Sequence, residues 1–291
     1  MVRTDLELWL FRGLWLILPF TVGSIIGDAL VDSSDVARNI IIAAAWIIWA
    51  VNMVAIMVPR TQTLTLIRIV VPMVIPAAIW AALESPDIEL ATIVALVAAV
   101  AVTVFALRST VGDLLVDGSS YGDESRFLLS TPGPILLGPV FILWALMAAG
   151  LLIGPVALAH GRWPIGVIAA VIGIGTAIVA VPIFDRLSNR WIVFVPAGVV
   201  LHDKTVLREP QLFDHLTISE FGPAPVSGPD HDLTLGALGL ALRVRLTEPS
   251  SIVENARTDT LELTQITGFI FSPNRPGAVV AEAKRRHIRL G

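Results

Sequence analysis

The chain contains no cysteine, which excludes disulfides, thiolate metal sites and cysteine nucleophiles. Lysine is nearly missing as well. Of the 20 basic residues only Lys204 and Lys284 are lysines, the arginine bias that high-GC coding favours. Charge of either sign is scarce, at 15% of 291 residues against about 25% in an ordinary soluble domain. With a net charge of −4 there is no basic footprint for nucleic acid. These shortages exclude a simple water-soluble enzyme, a disordered chain and a nucleic-acid binder. Apolar side chains take up the space, at 55% of the sequence.

A helix crosses the hydrocarbon core of a bilayer with about 17–25 mostly apolar residues. Six stretches qualify: 14–30, 40–58, 64–83, 90–107, 135–159 and 163–184. The second is the cleanest, because Ile-Ile-Ala-Ala-Ala-Trp-Ile-Ile-Trp-Ala offers no polar atom beyond indole N–H groups. The first competes with a cleaved signal peptide. Asp5 and Glu7 precede it and no small-x-small site follows it, so a retained helix is expected. With six spans both termini share one side, which would hold Arg3, Arg12, Arg60, Arg68, Arg108, Arg126, Arg186 and Arg190. The other side holds Arg38 and Arg162 and the acids Asp28, Asp32, Asp35, Glu84, Asp87 and Glu89. The positive-inside rule then predicts an inner-membrane protein with cytoplasmic N- and C-termini.

Small residues recur where helices would pack. Gly150 and Gly154 are spaced for close approach in the fifth span, as are Ala169 and Gly173 in the sixth. They predict packing of these two spans on each other, with a homodimer face as the alternative. Pro72 and Pro76 predict a kink in the third span, and Pro139 and Pro155 in the fifth. Polar residues inside the spans are few: Asn52, Thr103 and Thr176 are uncharged, while Arg68 and Glu84 lie near ends where snorkelling is cheap. No acid occupies a span centre, and no repeat relates the first three spans to the last three, which weakens a transporter reading.

Two segments outside the spans stand out. An inner loop at 108–132 is longer than about 12–15 residues, a length that is often functional. It carries Tyr121, Asp123, Glu124 and Arg126, a polar set suited to a partner or a cation, although no metal-loop spacing is present. The plainer reading is a solvated connector with Leu114, Leu115 and Val116 resting on the bilayer. From about residue 188 the composition changes. Residues 185–291 hold 24 charged side chains in 107 residues, whereas residues 1–184 hold 20 in 184.

This last part reads as strands. Residues 191–195 and 199–202 flank the Pro196-Ala197-Gly198 turn and predict a hairpin. Leu240, Leu242, Val244 and Leu246 alternate with Arg243 and Arg245, which places the leucines inward and the arginines on the wet face. Residues 260–264 predict another strand with Leu261 and Leu263 inward, and 268–271 a further one. Residues 222–229 read as a Gly/Pro loop and Asp230-His231-Asp232 as a polar loop. A helix opens at Ser272-Pro273 or Pro276 and runs to about His287, with Glu282 and Arg286 paired at i,i+4.

The fold class that follows is an α-helical membrane protein, with six transmembrane helices in residues 1–187 and a small C-terminal β-rich domain in residues 188–291. The strand order, the opening Arg190-Trp191-Ile192-Val193-Phe194-Val195-Pro196-Ala197-Gly198-Val199 and the terminal helix make that domain resemble a bacterial pleckstrin-homology-like (PH-like) domain. The whole architecture is similar to uncharacterised polytopic membrane proteins of actinobacteria. The resemblance implies a protein- or lipid-binding scaffold and not a catalyst. Lys284, Arg285 and Arg286 are then candidate contacts to a partner or to anionic headgroups, at about 1 kcal/mol per charge.

Catalytic patterns are missing. His202, His215, His231 and His287 fit no zinc spacing, and there is no Gly-x-Ser-x-Gly elbow, phosphate loop or His-Glu-x-x-His. The expectation is a scaffold or accessory subunit without enzyme activity, metal or cofactor. It would be held in the lipid bilayer and would contact another membrane or cytoplasmic protein. The alternatives are a transporter or channel for a small solute, and a membrane enzyme using the inner loop.

Overall fold

The computed structural model describes residues 2–85, 87–225, 228–255 and 263–291. The chain forms two compact units: Met1–Leu115 with Val140–Phe184, and Val116–Pro139 with Asp185–Gly291.

The first unit is helical. Its elements begin with α1 (Val2–Ala29), α2 (Asp35–Met57) and α3 (Thr61–Val70), the last joined by a 3-10 turn (Val71–Met73) to α4 (Val74–Glu84). Next come α5 (Leu90–Leu107) and α6 (Ser109–Asp117). The chain then forms a strand, β1 (Ser125–Leu128), a short turn α7 (Gly133–Ile135) and a π-helical segment (Leu136–Val140). It ends its apolar part with α8 (Phe141–Ala159) and α9 (Trp163–Ser188). Among the described residues six apolar helical runs are long enough to cross a bilayer: Leu6–Ala29, Asp35–Met57, Thr61–Glu84, Leu90–Leu107, Gly133–Ala159 and Trp163–Ser188. Ile47, Val97, Ile178 and many like them are exposed on these helices, a surface that only lipid satisfies at this extent. The fold is that of a membrane-embedded helical protein.

The third span breaks where the sequence says it should. Pro72 has no N–H to donate and crowds the preceding turn, and the chain answers with the 3-10 turn. Neighbouring spans supply donors to the disturbed backbone. Trp144 Nε1 donates to the Ile69 carbonyl at 3.0 Å, and the buried Thr103 hydroxyl lies 3.5 Å from the Val71 carbonyl and 2.8 Å from that of Ala99. In hydrocarbon such repair is obligatory, since no water can do it. Indoles do the same between the first two spans: Trp15 Nε1 donates to the Trp49 carbonyl at 3.0 Å, and Trp49 Nε1 to the Trp15 carbonyl at 2.9 Å. Asn52 is buried and donates to its own helix at Ile48.

Small residues bring α8 and α9 together. A methyl group added to Gly150 would lie 2.4 Å from Gly173 Cα and 2.6 Å from the Ala169 carbonyl oxygen, and one on Gly154 would lie 3.1 Å from Ala170 N. Gly150→Leu therefore forces the two helices apart and costs about 1–3 kcal/mol, the usual cost of overpacking. Thermal unfolding of the full chain in detergent should show a clear drop. Gly175→Ala, whose added methyl meets nothing within 4 Å, should not lower it.

The second unit is two four-stranded sheets and a helix. One sheet has the order β1, β2 (Arg190–Val195), β3 (Gly198–Asp203) and β4 (Gln211–Asp214), all antiparallel. The other is made of β5 (Ile218–Pro223), β6 (His231–Asp232), β7 (Leu242–Val253) and β8 (Leu263–Phe271), in the order β5-β7-β8-β6 with β6 parallel to β8. The helix α10 (Pro276–Arg285) begins with Pro in its first turn, where the missing N–H costs nothing. Ile192, Phe194, Leu201 and Phe213 from the first sheet, Phe221, Val244, Phe269 and Phe271 from the second, and Val279 and Ala283 from α10 form one core. The hairpin between β2 and β3 turns at Pro196-Ala197. Gly198 is required there, because a side chain would meet the Phe213 carbonyl oxygen at 2.1 Å.

Several expectations are corrected. The inner loop is not a bare connector. Its first part is α6, with Leu115 and Val116 fully buried in protein and not lying on a bilayer. Its second part supplies β1, which pairs with β2 through Ser125–Phe194 to Leu128–Trp191. The sheet therefore starts before the fifth span and resumes after the sixth. Leu242, Val244 and Leu246 point inward as expected, but Leu240 precedes the strand and is exposed. Leu263 is exposed as well, and Leu261 lies outside the described residues. Arg243 is not on a wet face: it pairs with Glu220 of β5. Gly222 and Pro223 belong to β5, and His231 and Asp232 to β6, where loops were expected.

Candidate functional site

The inner loop and the terminal helix meet in the second unit. Val279 and Ala283 turn one face of α10 into the core, which leaves Glu282 beside Arg285 and Arg286 on the rim. Glu282 accepts hydrogen bonds from Arg285 Nε and Nη2 at 2.7 and 2.6 Å and from Arg286 Nε at 2.7 Å. Arg286 Nη2 also donates to the Asp123 carbonyl at 2.5 Å, and the Asp123 carboxylate lies 3.6 Å from Arg286 and 3.8 Å from Arg285. The helix ends in a left-handed residue, His287, at φ +58°. Ile288 N–H then bonds back to the Ala283 carbonyl at 3.0 Å and His287 N–H to that of Lys284 at 3.1 Å, a Schellman cap. Ile288 is thereby buried and the arginines are held at the mouth of a cleft of about 280 Å³. Asp123, Val195, Pro196, Gly198, Arg285 and Arg286 are among its lining residues.

Burial pushes the Glu282 carboxyl up, but hydrogen bonds from Arg285, Arg286 and Ser125 outweigh it and hold it down, at about 2. Such a depressed carboxylate stabilises the fold fully above its unfolded value near 4.5, and that contribution fades as pH falls from 4.5 toward 2. The full chain should therefore lose protection from hydrogen exchange in α10 over that range. Glu282→Gln should already lack this protection at neutral pH and show a flatter pH profile; an unchanged profile would remove the carboxylate from its assigned role.

The remaining sequence candidates are dispersed. Glu124 pairs with Arg126 at 3.0 Å, and Arg126 also donates to Ser119 Oγ at 2.9 Å and, from its backbone, to Asp117 Oδ1 at 2.8 Å. Tyr121 is 88% exposed. Lys284 is exposed and in no ion pair among the described residues. So Asp123, Arg285 and Arg286 come together, Glu124 and Arg126 form their own pair, and Tyr121 and Lys284 stand outside both. Gly150, Gly154, Ala169 and Gly173 lie in the membrane unit.

Two buried polar groups were not singled out from sequence. Arg190 is bound side-on by Asp203, with Nε 2.9 Å from both carboxylate oxygens and Nη2 2.8 Å from Oδ2, and each side chain is 1% exposed. Arg190 Nη1 reaches the Ser130 carbonyl at 3.1 Å, tying the inner loop to the sheet, and Thr205 donates to Asp203 from N–H and Oγ1. Next to them Trp191 and His202 stack face to face at 4.4 Å. Burial lowers the His202 pKa, Lys204 and Arg126 push it the same way, and Asp203 opposes them. The second group sits across β5 and β7, where Glu220 and the buried Asp230 bracket Arg243 and Arg245. The hairpin register would have revealed the first group, because a two-residue turn at 196–197 sets 190 opposite 203 and 191 opposite 202.

Among the described residues no three His, Asp or Glu side chains gather as a metal site would need. The fold and this site define a polytopic membrane-embedded protein with a two-sheet domain capped by a helix. No family model matches the chain, and neither does any curated protein or any solved structure.

Proposed function

We propose that this is a non-enzymatic inner-membrane scaffold or accessory subunit that binds a partner through its cytoplasmic two-sheet domain. The observation that carries the reading is the junction of Asp123 with Arg285 and Arg286. Segments 163 residues apart build one polar rim around a cleft. Two sheets closed by a terminal helix support a PH-like binding domain, and the arginine asymmetry of the loops supports cytoplasmic termini. Arg285, 58% exposed, and Lys284 offer a charged edge to an acidic partner segment.

The test is purification of the full chain in mild detergent, beside Lys284→Glu/Arg285→Glu and the distant control Lys204→Glu. A stoichiometric companion retained by wild type and control but lost by the double variant is the expected result. A chain that elutes alone in every case, or a companion indifferent to the double variant, overturns it.

A further inference from the structure

We propose that the loop from Thr234 to Leu240 is a membrane-surface anchor whose leucines enter the headgroup–acyl boundary beside the start of the fifth span. Its sequence, Thr-Leu-Gly-Ala-Leu-Gly-Leu, is an apolar loop in the charged half of the chain. Leu235, Leu238 and Leu240 are 42%, 70% and 56% exposed, in a domain whose other apolar residues mostly build a core.

The loop is built and not frayed. Thr234 N–H is held by Asp232 Oδ1 at 2.8 Å, Gly236 N–H by Thr234 Oγ1 at 3.2 Å, and Ala237 N–H by the Thr234 carbonyl at 3.1 Å. Leu235 sits at φ +54°, a left-handed backbone that suits glycine or asparagine. A leucine held there at a conformational cost, with its side chain pointing to solvent, makes sense where the outside is apolar.

The occupant is set by continuity with a membrane segment. Ala237 forms a backbone bridge with Pro132, and the Leu238 side chain covers Gly133 so closely that a methyl there would lie 3.0 Å from Leu238 Cγ. Gly133 opens the apolar run Gly133–Ala159, one of the six long enough to span. Leu137, one turn further on, is 76% exposed. The exposed leucines of the loop thus adjoin the residues that open the Gly133–Ala159 run, within the same compact unit, and interfacial segments bury such apolar groups about 5–10 Å into the headgroup–acyl boundary. The proposal rests on the span reading of Gly133–Ala159 and on no assignment of function.

The chain has no cysteine, so single labels are unambiguous. Leu238→Cys and Leu240→Cys, each carrying an environment-sensitive fluorophore, are placed in the full chain in phosphatidylcholine–phosphatidylglycerol nanodiscs. Leu146→Cys, on the fifth span, and Leu216→Cys, on the sheet domain, serve as references. Quenching of the loop labels by doxyl lipid, with protection from iodide, is the expected result, and Leu235→Asp should reverse both. Loop labels quenched by iodide as readily as at Leu216 overturn the proposal, as do labels protected from both quenchers, which would mean a protein cover. If Leu146 itself escapes doxyl lipid, the span reading fails first.

Discussion

Arg190→Leu should cost the two-sheet domain about 3–5 kcal/mol, because it strands the Asp203 carboxylate in a buried site with no cation. The pair is 1% exposed on both sides, and Arg190 is also the link from β2 to the Ser130 carbonyl of the inner loop. Removing it leaves two Thr205 donors to serve a full negative charge. Arg190→Lys should recover only part of the loss, since an ammonium cannot reproduce the planar fork that engages both oxygens. The double variant Arg190→Leu/Asp203→Leu should be far closer to wild type than either single change, because apolar replacement of a whole buried pair is often neutral. Hydrogen exchange in residues 190–203 of the detergent-solubilised chain reads the effect. Equal protection in wild type and Arg190→Leu would show that the pair holds nothing.

The half-buried His202 of this sheet works in the opposite pH direction to an ordinary histidine ion pair. The lowered pKa of His202 means that the unfolded chain binds its proton more readily than the folded one. Stability from the neutral imidazole stacked on Trp191 is complete above the ordinary value of 6.5 and declines as pH falls below it.

What could be read from the sequence and what could not divide along a physical line. Each span announces itself, because solvation in lipid is a property of one continuous segment. The β2–β3 hairpin and the inward run Leu242, Val244 and Leu246 are local too, since two or three neighbours and a period of two specify them. By contrast β1 is four residues, Ser-Arg-Phe-Leu, and becomes a strand only through a partner more than sixty residues away, after two apolar helices have intervened. Asp230 looked like a loop acid because nothing nearby in sequence reveals Arg243 and Arg245 across the sheet. Leu240 and Leu263 obey the alternation, but Leu240 precedes β7 and Leu263 stays exposed although it pairs with Val253, so neither period nor pairing alone buries a side chain. At the candidate site, the polar residues of the inner loop and the basic helix end were each visible, yet their meeting through Asp123 is a tertiary fact. Pairing of Glu282 with Arg286 was visible because helical spacing alone brings them together.

Phe269→Ala should be the most damaging single change in the apolar core, at about 3–5 kcal/mol. Phe269 is fully buried near the C-terminal end of β8, paired with Val244 of β7 on one side and with His231 of β6 on the other. Its ring lies 4.6 Å from Phe213, which belongs to the other sheet, and 5.9 Å from Phe271. The contact with Phe213 is therefore a bond between the two sheets, so its loss opens a cavity at their interface and is not absorbed within one layer. Phe269→Leu keeps most of the volume and should cost much less, whereas Leu263→Ala, at an exposed end of the same strand, should cost almost nothing. The distinguishing readout is simultaneous loss of exchange protection in β4 and β8. If Phe269→Ala loosened β8 alone, the two sheets would not be joined through these rings, and their shared core would have to be held by Phe194, Phe221 and Phe271 instead.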